Sequence, residues 1–203
     1  HSAYLDDRPN APLRFLYEPN LTQLVRREER NVDREEIRAA LQDEIRRIFG
    51  GTGLDLVPFP AGPWDVPDEV GGGTPRLALI NHEADTVAPG QEGLPDRVQE
   101  IFERKGNSGS LRMLRNNLVF LVADESRVQL MVERMMRRLA LQQMTRNERI
   151  RELPEHHQAK LREWQERSRH ELAVAVAQCY RNLYYPARNR AAEAFGHPGD
   201  RGL

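Results

Sequence analysis

Six consecutive apolar residues, Leu118-Val-Phe-Leu-Val-Ala123, constrain this chain more than any other stretch. Arg115-Asn-Asn precedes them and Asp124-Glu125 follows, so the run starts and stops abruptly. A run of this length suits a strand buried on both faces better than a helix. A helical pattern begins at Asp124, and the unit reads strand, tight turn, helix. In open α/β sheets the carboxyl end of such a strand is where ligands usually meet the protein.

The rest of the chain arranges itself around that unit. Residues 1–12 read as a tag remnant (His1-Ser2) and an extended lead-in with two prolines. Leu13 to Glu18 alternates with Leu13, Phe15 and Tyr17 on one face, as a half-buried strand does. Asn20 opens a short helix with Leu21, Leu24 and Val25 inward. Asp33 and Glu36 have capping-box spacing at the head of a second helix, which Gly50-Gly51 ends. Leu54–Phe59 and Arg76–His82 read as strands, separated by a proline- and glycine-rich loop anchored by Trp64. A helix from Pro95 carries Val98, Ile101 and Phe102. The helix from Asp124 fades near Thr145. Pro154 opens a last helix with Leu161, Trp164, Leu172, Val176, Cys179 and Leu183 along one face, running to Tyr184-Tyr185-Pro186.

Strands two and three have no helix between them, which argues against a wholly parallel arrangement there. The expected fold is α/β: a mixed sheet of about four strands with helices on both faces and a long C-terminal helix. The alternative is a ferredoxin-like α+β plan, βαββαβ, but that would leave the apolar 118–123 strand at an edge. The expected organisation is an α/β domain over 13–150, a helical arm over 151–186 and a flexible tail over 187–203. The arm's second half, 172–185, is apolar nearly all round and must be buried, either on the body or through self-association.

Composition excludes several classes. Thirty basic against 31 acidic residues leave a net charge of −1, so no global field draws the chain to nucleic acid. No apolar run approaches the roughly 18 residues of a membrane helix, and there is no secretory signal pattern. The single cysteine, Cys179, rules out an internal disulfide and fits a reducing cytoplasm. Among the basic residues, 28 are arginine and only Lys105 and Lys160 are lysine.

The candidate chemistry is sparse. Leu118 to Glu125 has the outline of a Walker B element, in which Asp124 would hold a Mg²⁺ shell and Glu125 would orient water. No Gly-x-x-x-x-Gly-Lys-Ser/Thr loop accompanies it, and the competing reading makes Asp124 a helix cap. His82 and Glu83, with Asp85 nearby, follow the third strand and are candidate metal ligands. Arg112, Arg115 and Asn116, with Arg138 in a basic stripe running to Arg151, are candidate phosphate or nucleic-acid contacts. Glutamates interrupt that stripe, and a solvated helix face is the ordinary explanation of such a charge run.

Three phrases, Leu13-Arg-Phe-Leu-Tyr-Glu-Pro-Asn-Leu21, Leu54–Phe59 and Leu114-Arg-Asn-Asn-Leu-Val-Phe-Leu-Val-Ala-Asp-Glu-Ser-Arg127, occur together here. Leu153-Pro-Glu-His-His157 and Tyr184-Tyr-Pro186 follow them. Together they resemble the middle region of a family of large prokaryotic AAA-type ATPases of unknown function. Members are often encoded beside DNA methyltransferases and helicases in anti-phage defence clusters. The resemblance covers most of residues 13–186 and implies a module whose phosphate loop lies far N-terminal in the parent. It carries no catalytic residue onto this chain. It implies no cofactor for this region, with ATP and Mg²⁺ belonging to the parent. The implied partners are the remainder of the parent ATPase and, through the whole protein, DNA or DNA-modifying enzymes. A small Mg-dependent hydrolase built on Asp124 and Glu125, and a nucleic-acid-binding module, are the rival expectations.

Overall fold

The computed structural model describes residues 20–68 and 74–186, apart from the Arg149 side chain, with the backbone of three short strands outside them. Two of those strands, β1 (Ala3–Leu5) and β2 (Phe15–Tyr17), pair antiparallel as a separate ribbon. The strand expected near residues 13–18 therefore exists at its centre but does not join the main sheet. Leu13 and Glu18 lie outside the described residues.

Helix α1 (Leu21–Glu29) starts at Asn20, whose side chain accepts from the amides of Thr22 and Gln23. Helix α2 (Arg34–Phe49) starts at Asp33, which accepts from Glu35 and Glu36. Half of the expected capping box is thus present; the Glu36 carboxylate instead accepts from Gln143 of the fourth helix. Strands β3 (Asp55–Pro58) and β4 (Arg76–Leu79) follow, then α3 (Asp96–Glu103) and a small hairpin of β5 (Arg104–Lys105) and β6 (Ser110–Leu111). The apolar run is β7 (Leu118–Ala123), and Asp124 caps α4 (Glu125–Arg146). A long α5 (Glu155–Cys179) returns alongside α4, and β8 (Tyr180–Pro186) and β9 (Phe195–Gly196) end the order.

The sheet runs β3-β4-β7-β8-β9, with β3, β4 and β7 parallel and β8 antiparallel to β7. It is a mixed α/β sheet with β7 in its interior, as the uniform apolarity of 118–123 required. The ferredoxin-like alternative is set aside by this order. Two expectations are corrected. Strands β3 and β4 are parallel although no α-helix connects them. Their 17-residue connection, stiffened by the short 3-10 turn Pro63–Asp65, is long enough to cross over. The last helix does not continue to Tyr185; it stops at Cys179, and residues 180–186 are a sheet strand.

Alternation along the strands divides the core. Leu77, Leu79, Leu121 and Ala123 face α2, α4 and α5, where Leu41, Ile45, Met131, Leu172 and Val176 cover them. Ala78, Ile80, Phe120 and Val122 face the other way, under Val98, Ile101 and Phe102 of α3. Leu172, Ala175, Val176 and Cys179 of the last helix are buried on its own body, the first of the two burial routes considered from the sequence, while Val174 and Tyr185 remain exposed. A third cluster, Leu21, Val25, Leu141 and Leu161, joins α1 to the far ends of α4 and α5. Among the described residues, no helix is long and apolar enough to cross a membrane.

Candidate functional site

The carboxyl edge of β7 is the place to test the Walker-like reading. The loop after β4 returns there: Val87 donates its amide to the Ala123 carbonyl at 2.9 Å, and its own carbonyl accepts from Glu125 at 3.0 Å. On the other side the Asp124 amide donates to the Cys179 carbonyl at 2.8 Å. Asp124 is 5% exposed. Its Oδ1 accepts from the Ser126 amide at 3.0 Å and the Ser126 hydroxyl at 2.6 Å, and its Oδ2 pairs with Arg181. Arg181 reaches it because the β7–β8 register shifts here: Val122 pairs with Asn182 and Ala123 with Tyr180, leaving Arg181 as the extra, bulged residue. A cavity of about 260 Å³ lies over this edge, walled by residues 87–91, Asp124, Ser126, Arg181 and Asn182.

Burial pushes the Asp124 carboxyl upward, but its bonds from Ser126 and the Arg181 charge outweigh that and hold it below the usual range. Oδ1 thus serves the helix cap, the competing reading made from sequence, and Oδ2 serves an ion pair with Arg181. Glu125 is exposed. His82 is partly buried, with Nδ1 3.4 Å from the Tyr180 hydroxyl, which also donates to the Ile80 carbonyl at 3.1 Å. Burial lowers the His82 pKa against an opposing pull from Glu83, favouring the neutral ring. Glu83 pairs with Arg38 of α2 at 2.6 Å. No group of three or more potential metal ligands occurs among the described residues. Burial, with the Asp124 charge second, raises the Cys179 thiol to about 11, so it sits as a protonated core residue.

Asp124 also gives a test by pH. Its folded pKa is depressed, so its contribution is complete above the ordinary carboxylate value near 3.9 and disappears as pH falls through the lower folded value. Asp124→Asn, which retains a capping oxygen, is expected to lower the urea midpoint at pH 7 and to approach wild type as the pH falls progressively below the ordinary carboxylate range. Asp68 is depressed too, so some acid sensitivity remains in the variant. An equal deficit at pH 7 and below that range would show that charge at Asp124 contributes nothing.

The basic candidates do not meet there. Arg115 and Asn116 precede β7, about 20 Å from Asp124 along a six-residue strand. Arg115 is partly buried over the Phe102 ring, 5.3 Å from its centroid, and Asn116 is exposed. Arg112 is interior: its side chain is 1% exposed, and it donates to the carbonyls of Ile101 (2.8 Å), Val66 (3.0 Å), Pro67 (3.1 Å) and Pro63 (3.4 Å). Asp68 lies 3.9 Å from it and accepts from the Met113 and Leu114 amides. Arg112 therefore knits the connection between β3 and β4 to the segment before β7, and is not available to phosphate. Arg138 pairs with buried Glu44 of α2, Arg134 with Glu171 of α5 and Arg137 with Glu29 of α1. That part of the basic stripe is a set of ties between helices.

The feature that sequence reasoning missed lies at this end of the sheet. Trp64 does not anchor its loop; it is 51% exposed, while its neighbours Pro63 and Val66 are buried. Leu111 and Met113, on either side of Arg112, are 66% and 77% exposed. The alternation apolar-Arg-apolar at 111–113 was the available signal, since an extended segment with its arginine inward must turn both neighbours outward. No family model, curated protein or solved structure matches the chain.

Proposed function

We propose that this chain is a non-catalytic docking and assembly module of a larger cytoplasmic AAA-type ATPase, serving DNA-targeting anti-phage defence through that parent. The observation that supports docking is the trio Trp64, Leu111 and Met113, exposed on two segments that the Arg112 guanidinium fastens together. One exposed apolar side chain is ordinary, but several on a braced platform are what the core of an interface requires. The Trp64 ring is already laid down: a Cβ on Gly62 would meet it at 2.3 Å, so the indole lies directly across that glycine. An anchor ordered before its partner arrives loses less entropy on binding. In this reading ATP and Mg²⁺ act in the parent's nucleotide-binding region, and this module supplies contact.

Calorimetric titration with the polypeptide that flanks this region in its reading frame tests the proposal. A complex weakened at least about tenfold by Trp64→Ala and by Met113→Ala is expected, as for interface anchors. No complex, or one indifferent to both changes, would overturn it. The platform itself is checked by Gly62→Ala in a Trp164→Phe background. The added methyl should displace the indole and shift Trp64 emission to longer wavelength at unchanged Tm; an unmoved spectrum would mean that the ring does not rest on Gly62.

A further inference from the structure

We infer that a second surface, the slot between α1 and the junction of α4 with α5, docks an acidic peptide segment carrying one large apolar side chain. The slot is a cavity of about 290 Å³ with aliphatic and thioether walls from Leu24, Met144, Ile150, Leu153 and Leu161. That volume falls just below the range of pockets for drug-sized ligands, and suits a side chain or two better than a cofactor. It is preformed. Asn20 caps α1, and Leu21 and Val25 pack on Leu141 and Leu161, so the helix is fixed on the body.

Charge identifies the occupant. Arg27 lines the slot and also a shallow hollow beside it, whose other walls include Arg26 and Arg30. All three arginines are exposed, and no described carboxylate forms a salt bridge with any of them. They differ in this from Arg134, Arg137 and Arg138, each of which has its glutamate. Glu28 also lines the slot, so the balance among the described lining residues is three positive charges against one negative. An acidic segment would be drawn to the arginines while its apolar residue leaves water for the slot. Nucleic acid fits less well, because among the described residues no aromatic side chain lines the slot for a base to stack on. The surface is separate from the Trp64 platform, and Trp64→Ala should leave it unchanged.

Selection of a displayed library of random twelve-residue peptides on the whole chain tests this inference. Enriched peptides are expected to place two or more Asp or Glu residues beside Leu, Ile, Met or Phe. A synthetic copy of the leading peptide, followed by fluorescence anisotropy, should bind at least about tenfold more weakly to the Arg27→Glu/Arg30→Glu chain. It should weaken as much when its own apolar residue becomes serine. Both arginines are exposed, so the variant should keep the wild-type Tm and circular dichroism. Selection without the acidic–apolar pattern, or binding that survives either change, overturns the inference. So does displacement of the peptide by equimolar oligothymidylate, which would make this a general polyanion surface. Dimerisation of the chain abolished by the same two substitutions would assign the slot to a second copy, and would also overturn it.

Discussion

Phe120→Ala is expected to lower the unfolding free energy by about 3–5 kcal/mol, the range for truncating a large buried aromatic and leaving a cavity. Phe120 is fully buried in the middle strand of the sheet, beside Ala78 of β4 and Tyr184 of β8 and beneath α3. The site cannot easily collapse, because the strands on both sides hold its backbone in register. Urea unfolding measures the loss directly. A midpoint close to wild type would mean that the α3 face of the sheet contributes little to stability.

Arg112→Met is expected to be comparably damaging, at about 3–5 kcal/mol, for a different reason. Methionine can follow the path of the arginine stem but offers no donor to the four carbonyls, and it leaves Asp68 with a diminished counter-charge in a buried position. Removing one partner of a buried ionic cluster costs the desolvation of the groups left behind. Arg112→Lys should recover only part of the loss, since an ammonium cannot reproduce the planar fork. If the methionine variant melts with wild type, the carbonyls are satisfied by water and Arg112 is no hub. In the second case the Trp64 emission would also stay where it is.

Much of the fold was legible where one physical requirement dominated. The β7 run had to be interior because it is apolar on both faces, Asp33 and Asp124 cap the helices that their side chains suggested, and the helix expected from Asn20 starts there. The end of α5 was not legible for a definite reason. Leu172, Val176, Cys179 and Leu183 satisfy a helical period, while Tyr180, Asn182 and Tyr184 satisfy the two-residue period of a strand. Both patterns coexist in one stretch, and pairing with β7 decides between them. The tyrosines at 180, 184 and 185 were the local clue, because aromatic residues favour strands. The parallel β3–β4 pair was hidden because a loop, not a helix, makes its crossover. At the candidate sites the sequence offered residue types without partners. Asp124 looks catalytic until Arg181 is seen bulging toward it, and Arg112 looks like surface charge until four carbonyls from distant segments surround it.

The position of β8 has a consequence for how the chain is made. Its partner β7 is synthesised more than fifty residues earlier, and the whole α4–α5 hairpin intervenes. A nascent chain that has released β7 but not yet residues 180–186 presents the most apolar strand of the molecule with one edge bare. Such an edge recruits other strands. The helical hairpin, whose contacts are more local, can assemble first and carry β8 back to that edge, so the exposed interval is set by translation speed over the last helix. Chains arrested within α5 should therefore be the aggregating species, and rare-codon pauses placed there should lower the yield of folded protein more than pauses placed before β7.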